Sequence, residues 1–260
     1  MSVDKLVASA SEAVADVPDG ASLAVGGFGL SGIPWVLVAA LLEQGASSLT
    51  VVSNNCGVDG AGLGVLLAKR RIDRVIASYI GDNKEFARQF LGGELQVELT
   101  PQGTLAERLR AGGAGIPAFF TATGVGTLVA EGGLPWKYDE EGRVEVVSPP
   151  KEVREFGPRL YLLEEAIVTD FALVRAAIAD RHGNAVFHAA APNFNPVVAT
   201  AGRITVVEAE RVVEPGEIAP SDVHLPGVFV QRVVALTPQE AADKRIEKRT
   251  VRRPDAPPTA

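Results

Sequence analysis

The sequence predicts an α/β fold: a single domain with a mostly parallel sheet, flanked by helices and carrying additional strands. Short apolar runs alternate with helical segments through the first half of the chain, which is the pattern of repeated strand–helix–strand units. The second half is richer in strand-like runs. With 260 residues, of which 47% are hydrophobic and 22% charged, the chain can bury the core that such a sheet needs.

The first half contains predicted strands that each end in polar or glycine residues. They are Ser22–Val25, Leu49–Ser53, Arg74–Ser78, Leu95–Leu99 and Ala118–Thr121. A helix is predicted over Pro34–Gln44, because this apolar run stops at Gly45, a residue typical of the position after a helix. A second helix is predicted over Lys84–Leu91, with Asn83 as its N-cap.

The second half contains further predicted strands. They are Val144–Val147, Tyr161–Leu163, Ala172–Ala179, Ala185–Phe187, Ile204–Glu208 and Val228–Val234. The polar turn Asp180–Asn184 joins two of these strands in a hairpin. Asn195 and Pro196 are typical of the N-cap and first residue of a short helix. The capping box Thr237–Glu240 predicts a terminal helix through Lys248.

The expected domain spans residues 1–251, and the proline-containing tail 252–260 is expected to be disordered.

Composition excludes several classes of function. The net charge of −7 and the lack of a basic, aromatic-rich patch argue against nucleic acid as a partner. The single Cys56 excludes an internal disulfide and favours a reducing, cytoplasmic location. No export signal or membrane span is predicted, and the three histidines lack metal-ligand spacing, so no metal is expected.

The most informative segment is the glycine-rich loop that follows the first predicted strand. Its residues are Gly26, Gly27, Phe28, Gly29, Leu30, Ser31 and Gly32. Glycine has no Cβ, so such a loop can bring bare N–H groups close to an anionic ligand. The loop matches G-x-G-x-x-G, but no acidic residue ends the second strand to hold a ribose, which disfavours a dinucleotide. Hydrolase elbow and phosphate-loop motifs do not occur.

Three amide side chains follow predicted strands at the edge where parallel sheets bind ligands. Thr104 and Glu107 form a capping-box pattern, which places Gln102 just ahead of a helix. Asn54 and Asn55 follow the second strand. An amide at such a place can donate a hydrogen bond to a carbonyl or carboxylate oxygen. Each can equally close its own loop by bonding to main-chain groups, and the residues alone leave both interpretations open.

Several segments, in one order along the chain, resemble the A (alpha) subunit of the family I coenzyme A transferases. They are residues 19–34, 53–59, 98–108, 112–119, 153–156, 163–166, 183–184 and 193–195. The resemblance extends over about residues 3–251, which is nearly the whole chain. It implies the CoA-transferase fold, in agreement with the α/β pattern.

The resemblance also implies a reaction and a division of labour. It implies transfer of CoA from succinyl-CoA to a 3-oxo acid such as acetoacetate, with the CoA thioester as substrate and no cofactor. A glutamate of the B half, within a Ser-Glu-Asn-Gly motif, becomes a glutamyl-CoA thioester. This chain has no such motif, so the resemblance implies a separate B (beta) subunit, in a heterodimer or an A2B2 assembly.

In that interpretation Gln102, Asn54 and Asn55 support catalysis without acting as nucleophiles, and the loop from Gly26 to Gly32 binds CoA or the acyl group. Two alternatives stay open. The acids could be other short-chain acids such as acetate or butyrate, or the chain could be a non-catalytic ligand-binding module with the same fold. The sequence leaves the role of Cys56 undecided.

Overall fold

The computed structural model describes residues 4–81 and 83–244. Its strands, in chain order, are β1 (Leu6–Val7), β2 (Ser22–Val25), β3 (Leu49–Val52), β4 (Ile72–Ala77), β5 (Gln96–Leu99), β6 (Ala118–Thr121), β7 (Pro135–Tyr138), β8 (Val144–Val147), β9 (Val153–Phe156), β10 (Arg159–Glu165), β11 (Thr169–Asp180), β12 (Ala185–Val186), β13 (Gly202–Val213) and β14 (Arg232–Ala235).

The helices are α1 (Ala10–Val14), α2 (Trp35–Gln44), α3 (Gly64–Ala68), α4 (Lys84–Leu91), α5 (Gln102–Gly113), α6 (Leu128–Glu131), α7 (Asn195–Ala201) and α8 (Pro238–Ala242). Short 3₁₀ turns cover Pro220–Asp222 and Gly227–Phe229. The helix α2 ends at Gln44, and the N–H of its C-cap, Gly45, bonds to the carbonyl of Leu41. The positive φ of 97° at Gly45 turns the chain out of the helix, a conformation that glycine adopts easily.

One large sheet organises the chain. Its strand order is β1-β14-β13-β11-β2-β3-β4-β5, and every neighbouring pair along this path is parallel. The short strand β12 pairs antiparallel with β11 and forms the predicted hairpin. Two smaller sheets lie outside it, β6-β10-β9 and β7-β8, and both are antiparallel. The predicted α/β fold class is therefore confirmed.

Apolar side chains cover the large sheet on both faces. Alternation along β2 puts Leu23 and Val25 in one buried cluster and Ala24 in the other. The strand β11 behaves in the same way, since Leu173 belongs to the first cluster and Val174 to the second. Burial on both faces explains why these strands are nearly continuous apolar runs rather than alternating ones.

The first half agrees closely with the sequence prediction. The predicted strands Ser22–Val25 and Ala118–Thr121 have the bounds that the structure shows, and so does the helix Lys84–Leu91. Asn83 caps that helix, because its side chain accepts a hydrogen bond from the N–H of Phe86 at 2.9 Å. The capping box of Thr237 and Glu240 is also present.

Several predictions were wrong in their boundaries; the strand predicted over Ile204–Glu208, for example, spans Gly202–Val213. The helix α5 begins at Gln102, with Pro101 as N-cap, so the capping box expected at Thr104 does not form. Asn195 is the first residue of α7 and Phe194 is its N-cap. The predicted strand Val228–Val234 instead begins with a 3₁₀ turn, and strand pairing starts at Arg232.

Another wrong boundary is that of the terminal helix. It ends at Ala242 within the described residues, well short of the predicted Lys248. Residues 245–248 and the tail 252–260 lie outside the described part of the chain. Sequence patterns also missed the short elements β1, β7, β9, α1, α3 and α6.

Candidate active site

A cavity of about 470 Å³ lies at the carboxyl edge of the large sheet. Four adjacent parallel strands, β2, β3, β4 and β5, each contribute residues from the loop that follows them. The lining residues are Phe28, Gly29, Asn54, Asn55, Ser78, Tyr79 and Gln102. Ligands of open parallel sheets bind at this edge, because the strand ends there leave side chains and main-chain groups unpaired.

The structure brings Gln102 and Asn54 into direct contact. The Gln102 Nε2 donates to Asn54 Oδ1 at 2.8 Å, although the two residues are 48 positions apart in the sequence. Asn54 is almost fully buried, with 2% of its surface exposed. Asn55 lines the same cavity, and its Oδ1 also accepts a long 3.4 Å bond from the N–H of Gly57. For Asn55, therefore, the ligand-facing and the loop-closing interpretations both describe part of the geometry.

Gln102 reaches the cavity because it opens helix α5. The helix starts with Pro101 in an extended conformation and has no side-chain cap. The capping box predicted at Thr104 would have used its hydroxyl. Because that box does not form, the Oγ1 of Thr104 is buried with no hydrogen-bond partner in the described part of the chain. An amide in the first turn of a helix is set among N–H groups that favour a negative ligand.

Residues 26–33 form the glycine-rich loop between β2 and α2, which we call the first glycine loop. Some of its residues line the cavity and others pack against Asn195. Phe28 and Gly29 line the cavity, and the N–H of Gly29 has no acceptor within the described residues. Gly26 and Gly32 instead face Asn195: a Cβ added at Gly26 would lie 1.9 Å from its Oδ1. The glycines at the ends of the loop thus make room for a protein side chain.

Asn195 clamps this loop from helix α7. It is fully buried and donates through Nδ2 to the carbonyl of Gly32 at 2.9 Å and to that of Ala191 at 2.9 Å. Its Oδ1 accepts from the N–H of Arg175 at 3.2 Å. The prediction that Asn195 caps a helix missed this role, because Gly32, the partner in the loop, is 163 positions away in sequence.

A buried carboxylate caps the helix that follows the first glycine loop. Glu208 of β13 is fully buried and accepts from the N–H of Leu37 at 2.9 Å, in the first turn of α2. Arg175 donates to its other oxygen at 3.1 Å. Burial raises the pKa of Glu208 to about 7, and the bonds from Leu37 and Arg175 oppose that rise without cancelling it.

An ion-pair cluster supports the strand that leads to Gln102. Glu98 of β5 is nearly buried and pairs with Arg108 at 2.5 Å and with Arg74 at 2.8 Å. Burial alone would raise the pKa of Glu98, but the two guanidinium groups outweigh it and hold the pKa below its ordinary value. Arg108 also donates to the carbonyl of Glu165 at 2.8 Å, which ties α5 to the smaller sheet.

Ser78 and Tyr79 are site residues that sequence reasoning missed. They directly follow β4, which lies between β3 and β5 in the sheet. The predicted strand Arg74–Ser78 already ended at this edge, so the rule that ligands bind at the carboxyl ends of parallel strands could have found them. Tyr79 is 51% exposed and Phe28 is 49% exposed, so the cavity is lined by two half-exposed aromatic residues.

Two further observations bear on the predicted partners. Within residues 4–81 and 83–244, no three His, Cys, Asp or Glu side chains lie together as ligands for a metal ion. Nor does any helix in that part of the chain have the length and apolar character needed to cross a membrane.

Cys56, next to Asn55, is completely buried, and burial raises the pKa of its thiol.

Residues 7–236 match the family described as coenzyme A transferase. The chain belongs to that family. A relative from Mycobacterium tuberculosis, described as the probable A subunit of a succinyl-CoA:3-ketoacid coenzyme A transferase, is 65% identical over 250 residues, which cover 96% of this chain and 100% of that protein. The family, fold class and enzyme class expected from the sequence are confirmed.

Two other relatives are about twice as long. The mitochondrial succinyl-CoA:3-ketoacid coenzyme A transferase 2 of Homo sapiens is 51% identical over 247 residues, which are 95% of this chain but 47% of that protein. The acyl-CoA transferase of Escherichia coli O157:H7, solved as a thioester complex with CoA, superposes with a TM-score of 0.75 at 26% identity and covers 90% of this chain and 48% of that chain.

Proposed function

We propose that this chain is the A subunit of a CoA transferase that moves CoA from succinyl-CoA to a 3-oxo acid such as acetoacetate. The observation that supports it most directly is the pair Gln102 and Asn54, which present amide groups to a cavity whose lining residues include no Asp or Glu. A carboxylate nucleophile must then come from a partner B subunit, as the resemblance implies. The products are succinate and the 3-oxoacyl-CoA.

The amides supply electrostatic stabilisation in this proposal. Attack of a carboxylate on a thioester carbonyl places negative charge on the carbonyl oxygen, and a fixed neutral donor can stabilise that charge without reorganising. Gln102 has one N–H committed to Asn54 at 2.8 Å and a second one available to the oxyanion or to the partner's carboxylate. Phe28 and Gly29 would contact the acyl group or the thiol end of CoA.

The lengths of the relatives support a split active site. The human relative has about twice the length that this chain matches, whereas the M. tuberculosis relative is matched over its full length and is described as an A subunit. We infer that the second half of the enzyme is a separate B subunit, in a heterodimer or an A2B2 assembly. The cytoplasmic location expected from the single cysteine is part of the same proposal.

A reconstitution assay tests the split site. Transfer of CoA from succinyl-CoA to acetoacetate is measured with this chain alone, with its candidate partner alone, and with both together, while gel filtration reports the assembly. Activity is expected only from the mixture. Activity of this chain alone, or a covalent CoA adduct on any of its side chains, would contradict the proposal. Parallel assays with acetate and butyrate as acceptors test the alternative acids.

A Gln102→Ala exchange tests the role of the amide. Loss of one donor to an oxyanion lowers kcat by about 10²–10³-fold, and the complex should still assemble. The control is Gln239→Ala, because Gln239 is exposed on α8 and does not line the cavity. If the Gln102 variant turned over at the rate of the control, Gln102 would have only a structural role.

A further inference from the structure

Ser78 makes three polar contacts with Asn54, which follows the neighbouring strand β3. Its N–H donates to the main-chain carbonyl of Asn54 at 3.0 Å. Its hydroxyl oxygen lies 3.0 Å from the same carbonyl and 2.8 Å from Asn54 Oδ1. The residue thus touches both the main chain and the carboxamide of Asn54, at the edge of the sheet that forms the cavity.

The carboxamide oxygen of Asn54 is shared between two donors. The Ser78 hydroxyl has one proton, and its shorter distance to Oδ1, 2.8 Å against 3.0 Å to the main-chain carbonyl, favours donation to the carboxamide. Gln102 Nε2 donates to the same oxygen at 2.8 Å. A carbonyl oxygen has two lone pairs, so these two bonds fill its accepting capacity. The Nδ2 of Asn54, which has no acceptor within the described residues, is left as the end of the carboxamide that can donate to a ligand.

Rotation of an Asn carboxamide about χ2 is intrinsically broad, so a single contact with Gln102 would hold its plane only loosely. Two donors from different strand ends, after β4 and after β5, define the plane. On the basis of the proposed function, we propose that Ser78 is a positioning residue, which fixes the plane of the Asn54 carboxamide. Asn54 and Gln102 then present their remaining N–H groups in fixed directions to the thioester carbonyl oxygen, which becomes negatively charged during the reaction.

The expected kinetic effect follows from that role. Ser78→Ala leaves both amides in place but frees the plane of Asn54, so kcat should fall by about tenfold, less than the 10²–10³-fold expected when a direct donor is removed. The KM for succinyl-CoA should change little. The measurement uses the complex of this chain with its B subunit.

Ser53→Ala is the matched control. Ser53 is a buried serine that immediately precedes Asn54, and its hydroxyl donates to the carbonyl of Val25 at 2.8 Å instead of to the carboxamide. This variant loses one buried hydrogen bond at the same edge of the sheet, so its kcat should stay within about twofold of wild type. Equal losses of kcat in the two alanine variants would overturn the proposal.

A double-mutant cycle separates positioning from simple support of the fold. If Ser78 acts through the Asn54 side chain, Ser78→Ala should cost almost nothing in kcat when Asn54 is already alanine. If Ser78 only supports the main chain at Asn54, its substitution should cost the same in both backgrounds. That second result would refute the positioning role.

An isosteric pair guards against a variant that fails to fold. Ser78→Thr keeps a hydroxyl, and Ser78→Val has the shape of that threonine without one, so the threonine variant should retain most of the activity that the valine variant loses. A crystal structure of the valine variant supplies a readout without activity: Asn54 should be rotated, and an unmoved carboxamide would refute the proposal. A wild-type complex without transferase activity would refute the proposed function instead.

Discussion

Two glycine-rich loops, after neighbouring strands, have the same pattern of main-chain closure and different surroundings. The second glycine loop (residues 56–63) follows β3 as the first follows β2. Each is closed by a reciprocal pair of main-chain bonds, between Phe28 and Ser31 at 2.9 and 3.0 Å, and between Val58 and Ala61 at 3.1 and 3.3 Å. The recurrence is hard to recognise as a sequence repeat, since the two loops share few side chains.

Only the first loop reaches the cavity. Its tip contributes Phe28 and Gly29, whereas the second loop turns toward its neighbour, so that a Cβ added at Gly62 would lie 2.8 Å from Leu30 and 2.9 Å from Ile33. Positive φ angles and glycines are common to both. The comparison shows that the conformation of a glycine-rich loop does not by itself create a binding site. The site depends on which strand ends the loop faces.

Each loop is held by one buried asparagine from a later helix. Asn195 of α7 bonds to the first loop at Gly32, and Asn83, the N-cap of α4, donates to the carbonyl of Cys56 at 2.9 Å at the start of the second loop. The two loops therefore have separate clamps, and substitutions can perturb one loop at a time.

The largest effect is expected from Gly26→Ala. Its Cβ would lie 1.9 Å from the buried Oδ1 of Asn195, so the clamp must move, at about 3 kcal/mol or more of the free energy of unfolding. Gly29→Ala is the control, because a Cβ there meets nothing within 4 Å and only the φ of +62° is unfavourable, at about 1–2 kcal/mol. Thermal unfolding of both variants measures the difference, and equal stability would show that Asn195 is not a rigid clamp.

The next largest effect is expected from removing either of the two asparagine clamps. Asn195→Ala leaves the carbonyls of Gly32 and Ala191 without donors, and Asn83→Ala removes the bond to Cys56 and the cap of α4, so each should lower the free energy of unfolding by about 2–3 kcal/mol.

Their effects on catalysis should differ. In the complex with the B subunit, Asn195→Ala should lower kcat more than Asn83→Ala, because only the first loop lines the cavity. The assay is run at a temperature where both variants are folded. A larger loss of kcat from Asn83→Ala would mean that the second loop takes part in the site.

The thiol of Cys56 reports on the second loop alone. Because the side chain is fully buried and burial raises its pKa, a thiol reagent at pH 8 should label the native chain at least about tenfold more slowly than the unfolded chain. Asn83→Ala should speed the labelling, whereas Asn195→Ala should leave it near the wild-type rate. Equal acceleration by both variants would show that the loops open together.

The last expected effect is a pH dependence that belongs to the first loop and its helix. The pKa of Glu208 is about 7 in the folded chain, above its ordinary value of 4.5, so the folded state holds an extra proton between these pH values. Stability from this group is complete below about pH 4.5 and is lost as the pH rises through 7, by on the order of 3 kcal/mol.

Glu208→Gln tests this dependence, because the amide cannot ionise. Thermal unfolding between pH 5 and pH 8 should show wild type losing stability relative to this variant. The control is Glu43→Gln on the exposed side of the same helix, which should follow wild type. Parallel curves for wild type and Glu208→Gln would show that Glu208 stays ionised throughout.

Much of the fold and part of the site follow from local patterns. Apolar runs that stop at glycine or polar residues predict β2, β3, β4 and β5, and because parallel strands present their carboxyl ends at one edge, Asn54 and Gln102 are expected near each other. The segments that identify the family are also contiguous. These properties depend on neighbours within a few residues, and a sequence shows such neighbours directly.

Contacts between residues that are distant in sequence could not be predicted from local patterns. Asn195 looks like a helix cap in sequence, yet it bonds to Gly32, which is 163 positions away. Ser78 looks like the end of a strand, yet it holds the carboxamide of Asn54. Such roles arise when strand order places distant segments side by side, because the free energy of these contacts depends on packing that no local pattern encodes.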